Sequence, residues 1–198
     1  MAIFTRVRFA VKEDAAAILR IYETYIKNTT VTFEIEVPTV SAFEERMERI
    51  TAQFPWLVCE IDGEVVGYAY ASMHGERAAY RWSADLSVYI DERYHRRGIA
   101  ASLYEAIQTL LREQGYYTVY AGVSTPNPKS EAFHTAMGFR NLGEFKNVGY
   151  KLGQWCGVAW YELPLSEYGE VPGEPVAIGT ISGDFCTEVF SNAENSVR

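Results

Sequence analysis

The strongest constraint on the fold is residues 86–115, LSVYIDERYHRRGIAASLYEAIQTLLREQG, where a β-branched apolar run leads through a charged turn into a long amphipathic repeat. The run predicts a strand, and the repeat predicts a helix that Gly115 is placed to end. The apolar residues at the spacing of one helix face are Ile99, Leu103, Ile107 and Leu110. A strand that leads directly into a helix leaves the first N–H groups of that helix unpaired, and these groups bind anions with help from the helix dipole.

The junction between strand and helix, HRRGIA, adds further features that suit an anion. Gly98 lets the backbone approach a ligand closely, and Arg96 and Arg97 place two positive charges beside it. This combination predicts a site for a phosphate or pyrophosphate group. The same residues also fit a solvated basic turn in front of an ordinary helix, so the junction alone leaves both interpretations open.

The rest of the chain up to residue 164 alternates between strand and helix signals. Thr39 or Ser41 is placed to cap the second helix, a D-G pair at 62–63 predicts a hairpin turn, and an N-P pair at 127–128 is typical of a helix start. The predicted strands cover residues 4–9, both sides of the D-G turn, 80–90, 118–123, 140–146 and 158–164, and the predicted helices cover 12–27, 41–54, 99–114 and 128–137. The order βααβββαβαββ predicts a mixed α/β fold.

After Pro164 the composition becomes rich in Gly, Pro, Ser and Glu. We therefore divide the chain into a domain over residues 1–165 and an acidic C-terminal tail over residues 166–198. The tail shows no helical period, and a short strand is predicted near residues 176–181. The formal net charge is −8, and most of the acidic excess lies in the tail. A negative chain disfavours nucleic acid and anionic membrane surfaces as partners.

The sequence carries no signal for secretion or membrane insertion. The segment MAIFTRVRFAVKEDAAA has charges throughout and lacks the apolar core of a signal peptide, and no window approaches the roughly 18 apolar residues that a membrane span needs. Cys59, Cys156 and Cys186 are widely spaced and odd in number, which favours free thiols in a reducing compartment. We expect a cytoplasmic protein with no metal site.

Two segments resemble the signatures of the GCN5-related N-acetyltransferases, the GNAT family. HRRGIA at 95–100 follows the pattern Q/R-x-x-G-x-G/A, and NPKSEAFHTAMGF at 127–139 follows N-x-x-(S/A) with a closing G-F. YRWSADLSVYI and VGYKLGQWCGVAWYELPL are further similar to the phosphinothricin and methionine-sulfoximine acetyltransferase branch, which carries a G-x-K-x-G-x-W segment. The residues that match this segment are Gly149, Lys151, Gly153 and Trp155. The resemblance covers residues 5–165.

The resemblance implies a GNAT fold, an α/β arrangement with a mixed, mostly antiparallel central sheet flanked by helices and with splayed strands at the acetyl-CoA site. It implies that the HRRGIA turn holds the cofactor's pyrophosphate and that backbone N–H groups of residues 88–90 stabilise the oxyanion. His95 departs from the usual Gln or Arg of the pattern. The residues implied in acetyl-CoA binding are Val88, Tyr89, Ile90, His95, Arg96, Arg97, Gly98, Ile99, Ala100, Ala101 and Asn127.

Acetyl transfer to an amine needs one group that removes the proton of the amine and another that protonates the leaving thiolate. By resemblance Asp85 is the candidate base, although the branch typically has Glu, which is one methylene longer. Several roles stay open for Asp85. It takes the proton of the amine directly or through a water molecule, another group is the base instead, or its carboxylate only hydrogen-bonds a neighbouring strand or turn. His134 is the candidate acid toward the coenzyme thiolate, because imidazole suits proton transfer near neutral pH. We interpret His74 and His95 as surface or turn residues, His95 within the cofactor loop.

The acceptor side is predicted from charge. A small amino acid brings a carboxylate, which the planar guanidinium of arginine binds through two parallel hydrogen bonds. Arg77 and Arg81 precede Asp85 and are candidate carboxylate ligands, although they equally fit solvated hairpin residues. The full set of predicted substrate-binding residues is Arg77, Tyr80, Arg81, Phe33, Lys151 and Trp155.

The sequence therefore predicts an acetyl-CoA-dependent N-acetyltransferase that acts on the α-amine of a small L-amino acid or analogue, of the phosphinothricin, methionine sulfoximine or methionine sulfone type. The alternatives are a GNAT enzyme for a polyamine, an aminoglycoside or a protein N-terminus, and a non-catalytic acyl-CoA-binding module. The two arginines before Asp85 favour an anionic acceptor over a polycation. Because relatives are often homodimers, we expect a homodimer.

Overall fold

The computed structural model describes residues 4–169 and 171–198. Within these residues, seven strands and four helices follow one another in the predicted order, and a fifth helix lies at the end. The elements are β1 (Thr5–Phe9), α1 (Ala15–Asn28), α2 (Val40–Thr51), β2 (Trp56–Ile61), β3 (Glu64–Met73), β4 (Ser83–Ile90), α3 (Ile99–Gln114), β5 (Thr118–Thr125), α4 (Pro128–Ala136), β6 (Arg140–Lys151), β7 (Gln154–Pro164) and α5 (Gly183–Ser196). The predicted mixed α/β fold is confirmed.

The strands form one sheet in the order β1-β2-β3-β4-β5-β7-β6. Every neighbouring pair is antiparallel except β4 and β5, which run parallel. That parallel pairing is short, because it joins only Ser83–Asp85 to Thr118–Tyr120. Beyond this point the two strands separate, so the sheet contains the fork that the resemblance implied.

The two faces of the sheet carry different layers. α3 and α5 pack on one face over an aliphatic core, and α1 and α2 pack on the other over stacked aromatic rings. Between β3 and β4, Tyr70 lies opposite Ser87 and Ser72 lies opposite Asp85. Side chains that lie directly opposite each other share a face. Asp85 therefore belongs to the α1/α2 face of the sheet, next to the aromatic layer.

Local sequence signals fix most element boundaries. Thr39 caps α2, because its hydroxyl oxygen accepts a hydrogen bond from the backbone N–H of Ala42 at 3.2 Å. The D-G pair at 62–63 makes the β2–β3 turn with φ of 51° and 84°, values that favour these residue types. The side chain of Asn127 accepts from the N–H of Ser130 and begins α4. These three predictions are confirmed.

The predicted structure of the tail is wrong. Residues 178–180 form a 3₁₀ turn instead of a strand, and α5 follows over Gly183–Ser196. Its buried residues Cys186, Val189 and Ala193 lie at helical spacing, a short apolar stripe that the Gly- and Pro-rich composition around it concealed. The hydroxyl of Ser102 on α3 donates to the carbonyl of Ala193 at 2.6 Å. The helix at the end of this segment thus packs against α3 on one face of the sheet. The domain boundary at residue 165 stays a prediction.

No helix in the described ranges is both long and apolar enough to cross a bilayer.

Truncation of Val189 to Ala should lower the free energy of unfolding by about 2 kcal/mol, because it leaves a cavity between α5 and α3. Replacement of the neighbouring exposed Glu188 by Ala should change stability by less than about 0.5 kcal/mol. Urea unfolding of both variants and of the unchanged protein measures the difference. Equal midpoints for the two variants would mean that α5 does not dock on the sheet layer.

Candidate active site

A cavity opens where β4 and β5 separate, directly after the last parallel pair, Asp85 with Tyr120. On the β5 side of the fork, residues 86–90 of β4 have no strand partner among the described residues, so the backbone groups that do not bond β3 lie along the gap. The lining residues that concern the site are Val88, Tyr89, Gly122, Ser124, Asn127 and His134. The structure thus brings together three groups that the sequence assigned to one site: the end of β4, Asn127 and His134.

The N-terminus of α3 follows the fork and suits an anion. Gly98 precedes the helix with φ of 81° in the left-handed region and provides no side-chain cap. The first N–H groups of α3 therefore keep their donor capacity for a ligand. Arg96 is exposed at φ of 64°, and Arg97 lies over the ring of Tyr94 at 5.1 Å. His95 braces the turn, because its Nε2 lies 3.1 Å from the carbonyl oxygen of Ile90.

Asp85 is paired with a histidine that the sequence analysis set aside. Nδ1 of His74 lies 2.6 Å from Oδ1 of Asp85, and both side chains are about one quarter exposed. Burial raises the pKa of the Asp85 carboxyl above its ordinary value, while the hydrogen bond from His74 opposes this shift by favouring the charged form. His74 does lie in the β3–β4 loop, as a turn residue would, but its side chain is mostly buried and is bonded to Asp85.

His134 has a defined tautomer. Its Nδ1 lies 2.8 Å from the carbonyl oxygen of Ser130, which can only accept, so Nδ1 carries the hydrogen. Nε2 is then the acceptor for the hydroxyl of Tyr104, at 3.2 Å. Burial lowers the pKa of His134, and the bond to Ser130 opposes that shift. At neutral pH the imidazole is therefore uncharged and directs a lone pair toward Tyr104.

A second group of predicted residues meets on the α1/α2 face of the sheet. The ammonium of Lys151 donates to the carbonyl oxygen of Thr32 at 2.7 Å and is buried, and burial lowers the pKa of Lys151. Phe33 packs so closely on Gly149 that a Cβ there would lie 2.5 Å from its ring. The β6–β7 hairpin is thus fastened to the α1–α2 loop. Trp155 lies on that hairpin but is 64% exposed and packs on Tyr150.

The three predicted residues of the β3–β4 loop have other neighbours than Phe33 and Lys151. The guanidinium of Arg81 is held by both carboxylate oxygens of Glu174, at 2.7 and 2.8 Å. Tyr80 packs edge-on against His74 with ring centroids 5.7 Å apart. Arg77 is exposed and has no ion-pair partner within the described part of the chain.

Sequence reasoning missed two neighbours of the predicted site residues, His74 and Tyr104. His74 meets Asp85 only because of the antiparallel β3–β4 register, which no local pattern specifies. Tyr104 lies on the buried face of α3, where a sequence pattern predicts that an aromatic residue belongs to the core.

No group of three or more potential metal-ligating side chains is found among residues 4–169 and 171–198.

Comparison with known proteins decides the family. Residues 7–160 match the model of the acetyltransferase (GNAT) domain. The chain belongs to the GNAT acetyltransferase family. This confirms the predicted family, the predicted fold and the predicted activity class, an acetyl-CoA-dependent acetyltransferase.

Similar proteins share most of their length with this GNAT chain. A phosphinothricin N-acetyltransferase of Streptomyces viridochromogenes is 34% identical over 85% of this chain and 90% of its own length. The L-methionine sulfoximine/L-methionine sulfone acetyltransferase of Salmonella typhimurium is 28% identical over 82% of this chain and 95% of its own. A crystal structure of a GNAT superfamily phosphinothricin acetyltransferase from Sinorhizobium meliloti in complex with AcCoA superimposes with a TM-score of 0.83. It is 31% identical and covers 87% of this chain and 95% of the other.

The pKa of His134 gives a prediction for stability. The pKa of His134 in the folded protein lies below the ordinary value of about 6.5. At a pH between these two pKa values, the unfolded chain therefore binds more protons than the folded protein. The contribution of the neutral imidazole is complete above about pH 6.5 and is lost as the pH falls toward the folded pKa. The stability advantage of the unchanged protein over the His134→Gln variant should therefore shrink between pH 7 and pH 5 in urea unfolding. An advantage that is constant across this range would contradict the assignment.

Proposed function

We propose that this GNAT enzyme transfers the acetyl group of acetyl-CoA to the α-amine of a small L-amino acid or amino-acid analogue. The observation that carries the proposal is the fork between β4 and β5, with the Asp85–His74 pair at its apex and the bare N-terminus of α3 at its end. The similarity to phosphinothricin and methionine-sulfoximine acetyltransferases supports the choice of acceptor.

The donor side of the fork fits acetyl-CoA. The unpaired edge of residues 86–90 offers backbone N–H and C=O groups to the amide groups of a pantetheine arm. Asn127 uses its side-chain oxygen to cap α4, which leaves its amide N–H groups for a ligand carbonyl. The N–H groups after Gly98, with Arg96 and Arg97, bind the pyrophosphate. Bound acetyl-CoA supplies an acetyl group activated as a thioester, which an uncharged amine can take up.

Tyr104 and His134 serve the leaving-group side in this proposal. The predicted acid role of His134 needs a hydrogen on Nε2, yet the bond to Ser130 keeps the hydrogen of the neutral ring on Nδ1. The hydroxyl of Tyr104 donates to Nε2 and lines the same cavity. Burial raises the pKa of Tyr104, so the hydroxyl keeps its hydrogen at neutral pH. We therefore assign to His134 the orientation of the Tyr104 hydroxyl, which can turn its hydrogen toward a thiolate.

On the acceptor side, Arg77 is the candidate ligand for the α-carboxylate, because its loop also carries His74 and its guanidinium has no acidic partner within the described residues. Arg81 is already engaged by Glu174 and is the weaker candidate. Phe33 and Lys151 build a wall of the acceptor site, in which Lys151 acts through its bond to the α1–α2 loop.

Coenzyme A release, followed with a thiol reagent, tests the proposed function. The acceptor panel contains phosphinothricin, methionine sulfoximine, methionine sulfone, ordinary L-amino acids, spermidine, an aminoglycoside and a peptide N-terminus. Turnover with the amino acids and analogues supports the proposal. Turnover confined to spermidine, the aminoglycoside or the peptide would replace the acceptor class, and binding of acetyl-CoA without turnover on any amine would favour a binding module.

Replacement of Arg77 by Ala should raise the KM for the amino-acid acceptor about 10- to 100-fold, because a charge-assisted hydrogen bond contributes roughly 1.5–3 kcal/mol. The KM for acetyl-CoA should stay unchanged. Arg49→Ala, an exposed arginine on α2, is the matched control and should alter neither constant. An unchanged acceptor KM in the Arg77→Ala variant would remove this residue from the site.

We also propose that two copies of the chain associate through the end of the β6–β7 hairpin. Four large side chains are more than half exposed there, although β6 is an edge strand of the sheet. These residues are Val148, Tyr150, Leu152 and Trp155. Exposed apolar clusters on edge strands typically mark interaction sites.

Cytoplasmic location stays a prediction, supported by three buried cysteines that are all free thiols.

Light scattering at micromolar concentration should give about twice the 22.4 kDa chain mass. Replacement of Leu152 by Glu should shift this value to the monomer, because a charge would be buried at the interface. Glu48→Lys on the exposed face of α2 serves as the charge-change control and should leave the mass unchanged. A monomeric unchanged protein would reject the dimer.

A further inference from the structure

We propose that His74, through its Nε2 atom, is the group that takes the proton from the acceptor amine, and that Asp85 acts through His74. This assignment rests on the acetyltransferase function proposed above. It moves the base from the carboxylate suggested by the sequence to an imidazole that no sequence pattern indicated.

The hydrogen bond between the two side chains fixes which nitrogen is available. An ionised carboxylate can only accept hydrogen bonds, so Nδ1 of His74, 2.6 Å from Oδ1 of Asp85, carries the hydrogen. Nε2 on the other side of the ring then holds the lone pair. The carboxylate selects this tautomer and stabilises the positive charge that forms when Nε2 takes a proton, which is the part an aspartate has in other Asp–His pairs.

Neighbouring rings hold the imidazole in place. The ring of Tyr120 stacks on His74 with centroids 4.1 Å apart and an angle of 19° between the planes. Tyr80 and Trp160 pack against it edge-on, at 5.7 and 5.9 Å. Three aromatic contacts and one short hydrogen bond restrict rotation of the ring, so Nε2 keeps one direction.

His74 also lies at the place where the fork begins. Asp85 and Tyr120 form the last parallel pair before β4 and β5 separate, and His74 contacts the side chains of both. The imidazole therefore bridges the apex of the fork. The cavity of the fork begins one residue further along β4, at Leu86.

The cavities distinguish His74 from Asp85, although the two side chains are similarly exposed. His74 lines a cavity of about 540 Å³ on the same face of the sheet, together with Tyr120, Trp160 and residues 142–145 of β6. Trp160 lies opposite Gly122, which lines the fork cavity, so the two cavities are neighbours on β5. Asp85 is not among the lining residues of either cavity. An amine in this space would meet the imidazole before the carboxylate.

The proton balance of the step is complete. The acceptor enters mainly as an ammonium ion, and Nε2 of His74 takes one of its protons to give an uncharged amine and an imidazolium. The amine nitrogen then forms its bond to the acetyl carbon as the carbon–sulfur bond breaks. The nitrogen loses its second proton to the leaving thiolate, which becomes the thiol of coenzyme A, and the proton on His74 returns to water. The titratable groups around the ring are Asp85 on β4, Tyr80 on the β3–β4 loop, Tyr120 on β5 and Glu144 on β6.

A pair of variants separates a base from a positioning residue. The amide of His74→Asn can still donate to Asp85, but it has no lone pair that accepts a proton near neutral pH. We expect kcat to fall about 100- to 10,000-fold and the acidic limb of the kcat/KM pH profile to disappear, with an unchanged Kd for acetyl-CoA by calorimetry. Retention of more than about one third of kcat in His74→Asn would show that His74 only positions Asp85 and would overturn the proposal.

Asp85→Asn and the double variant give the second comparison. If Asp85 acts through His74, the double variant His74→Asn/Asp85→Asn should be no slower than His74→Asn alone, because the two residues work as one unit. A further large loss in the double variant would make Asp85 an independent base. Urea unfolding of all variants shows whether a loss of rate comes from a loss of fold.

Nitrogen-15 NMR of the imidazole gives a readout that does not depend on turnover. We expect the neutral His74 ring of the unchanged protein to carry its hydrogen on Nδ1, and this preference to weaken in Asp85→Asn. A hydrogen on Nε2 in the unchanged protein would overturn the proposal whatever the rates are. If the unchanged protein acetylates no amine, the proposed function fails, and the base role of His74 fails with it. If the unchanged protein and the His74→Asn variant are both active, only the base role of His74 is contradicted.

Discussion

The short parallel contact between β4 and β5 is the constraint on which the rest of the structure depends. Three residue pairs hold the strands together, and the pairing ends at Asp85 and Tyr120. β5 then takes β7 as its antiparallel partner along its full length. Within the described part of the chain, residues 86–90 of β4 pair with β3 alone. Unpaired backbone groups inside a protein are costly unless a ligand or water satisfies them. The fork therefore interrupts the pairing of the sheet, and it is for this reason the place that we propose for a long, amide-containing cofactor.

Much of this arrangement could be predicted because it depends on local signals. The glycine before α3, the Asn-Pro start of α4 and the Asp-Gly turn each need a particular residue type at one position, and each was predicted at the position where the structure has it. The candidate cofactor residues other than Asn127 lie within one stretch, 88–101, so one strand, one turn and one helix fix their arrangement. The family resemblance then placed them in a known fold, and the match over residues 7–160 agrees.

The features that sequence reasoning missed depend on contacts between distant segments. The carboxylate of Glu174 holds Arg81 from 93 positions further along the chain, and α5 docks on α3 through a stripe of only a few apolar residues. The neighbourhood of His74 is set by strand register and by ring packing from β5 and β7. A one-residue slip in the β3–β4 register would turn these side chains to the other face, and composition and periodicity do not determine that register.

The Asp–His pair also bears on why a shorter carboxylate is tolerated at position 85. Where the related branch typically has Glu, this chain has Asp, which retracts the carboxylate toward the strand. His74 occupies the space in front of it, and the imidazole extends the pair toward the wall formed by Tyr120 and Trp160. The proton-accepting atom is thereby displaced from β4 toward β5 and β7. An acceptor amine must approach along the same direction, so its side chain lies beside the aromatic and apolar residues of the adjoining cavity, Leu142 and Phe145 among them. The identity of residues 74 and 85 is in this way coupled to the shape of the acceptor site.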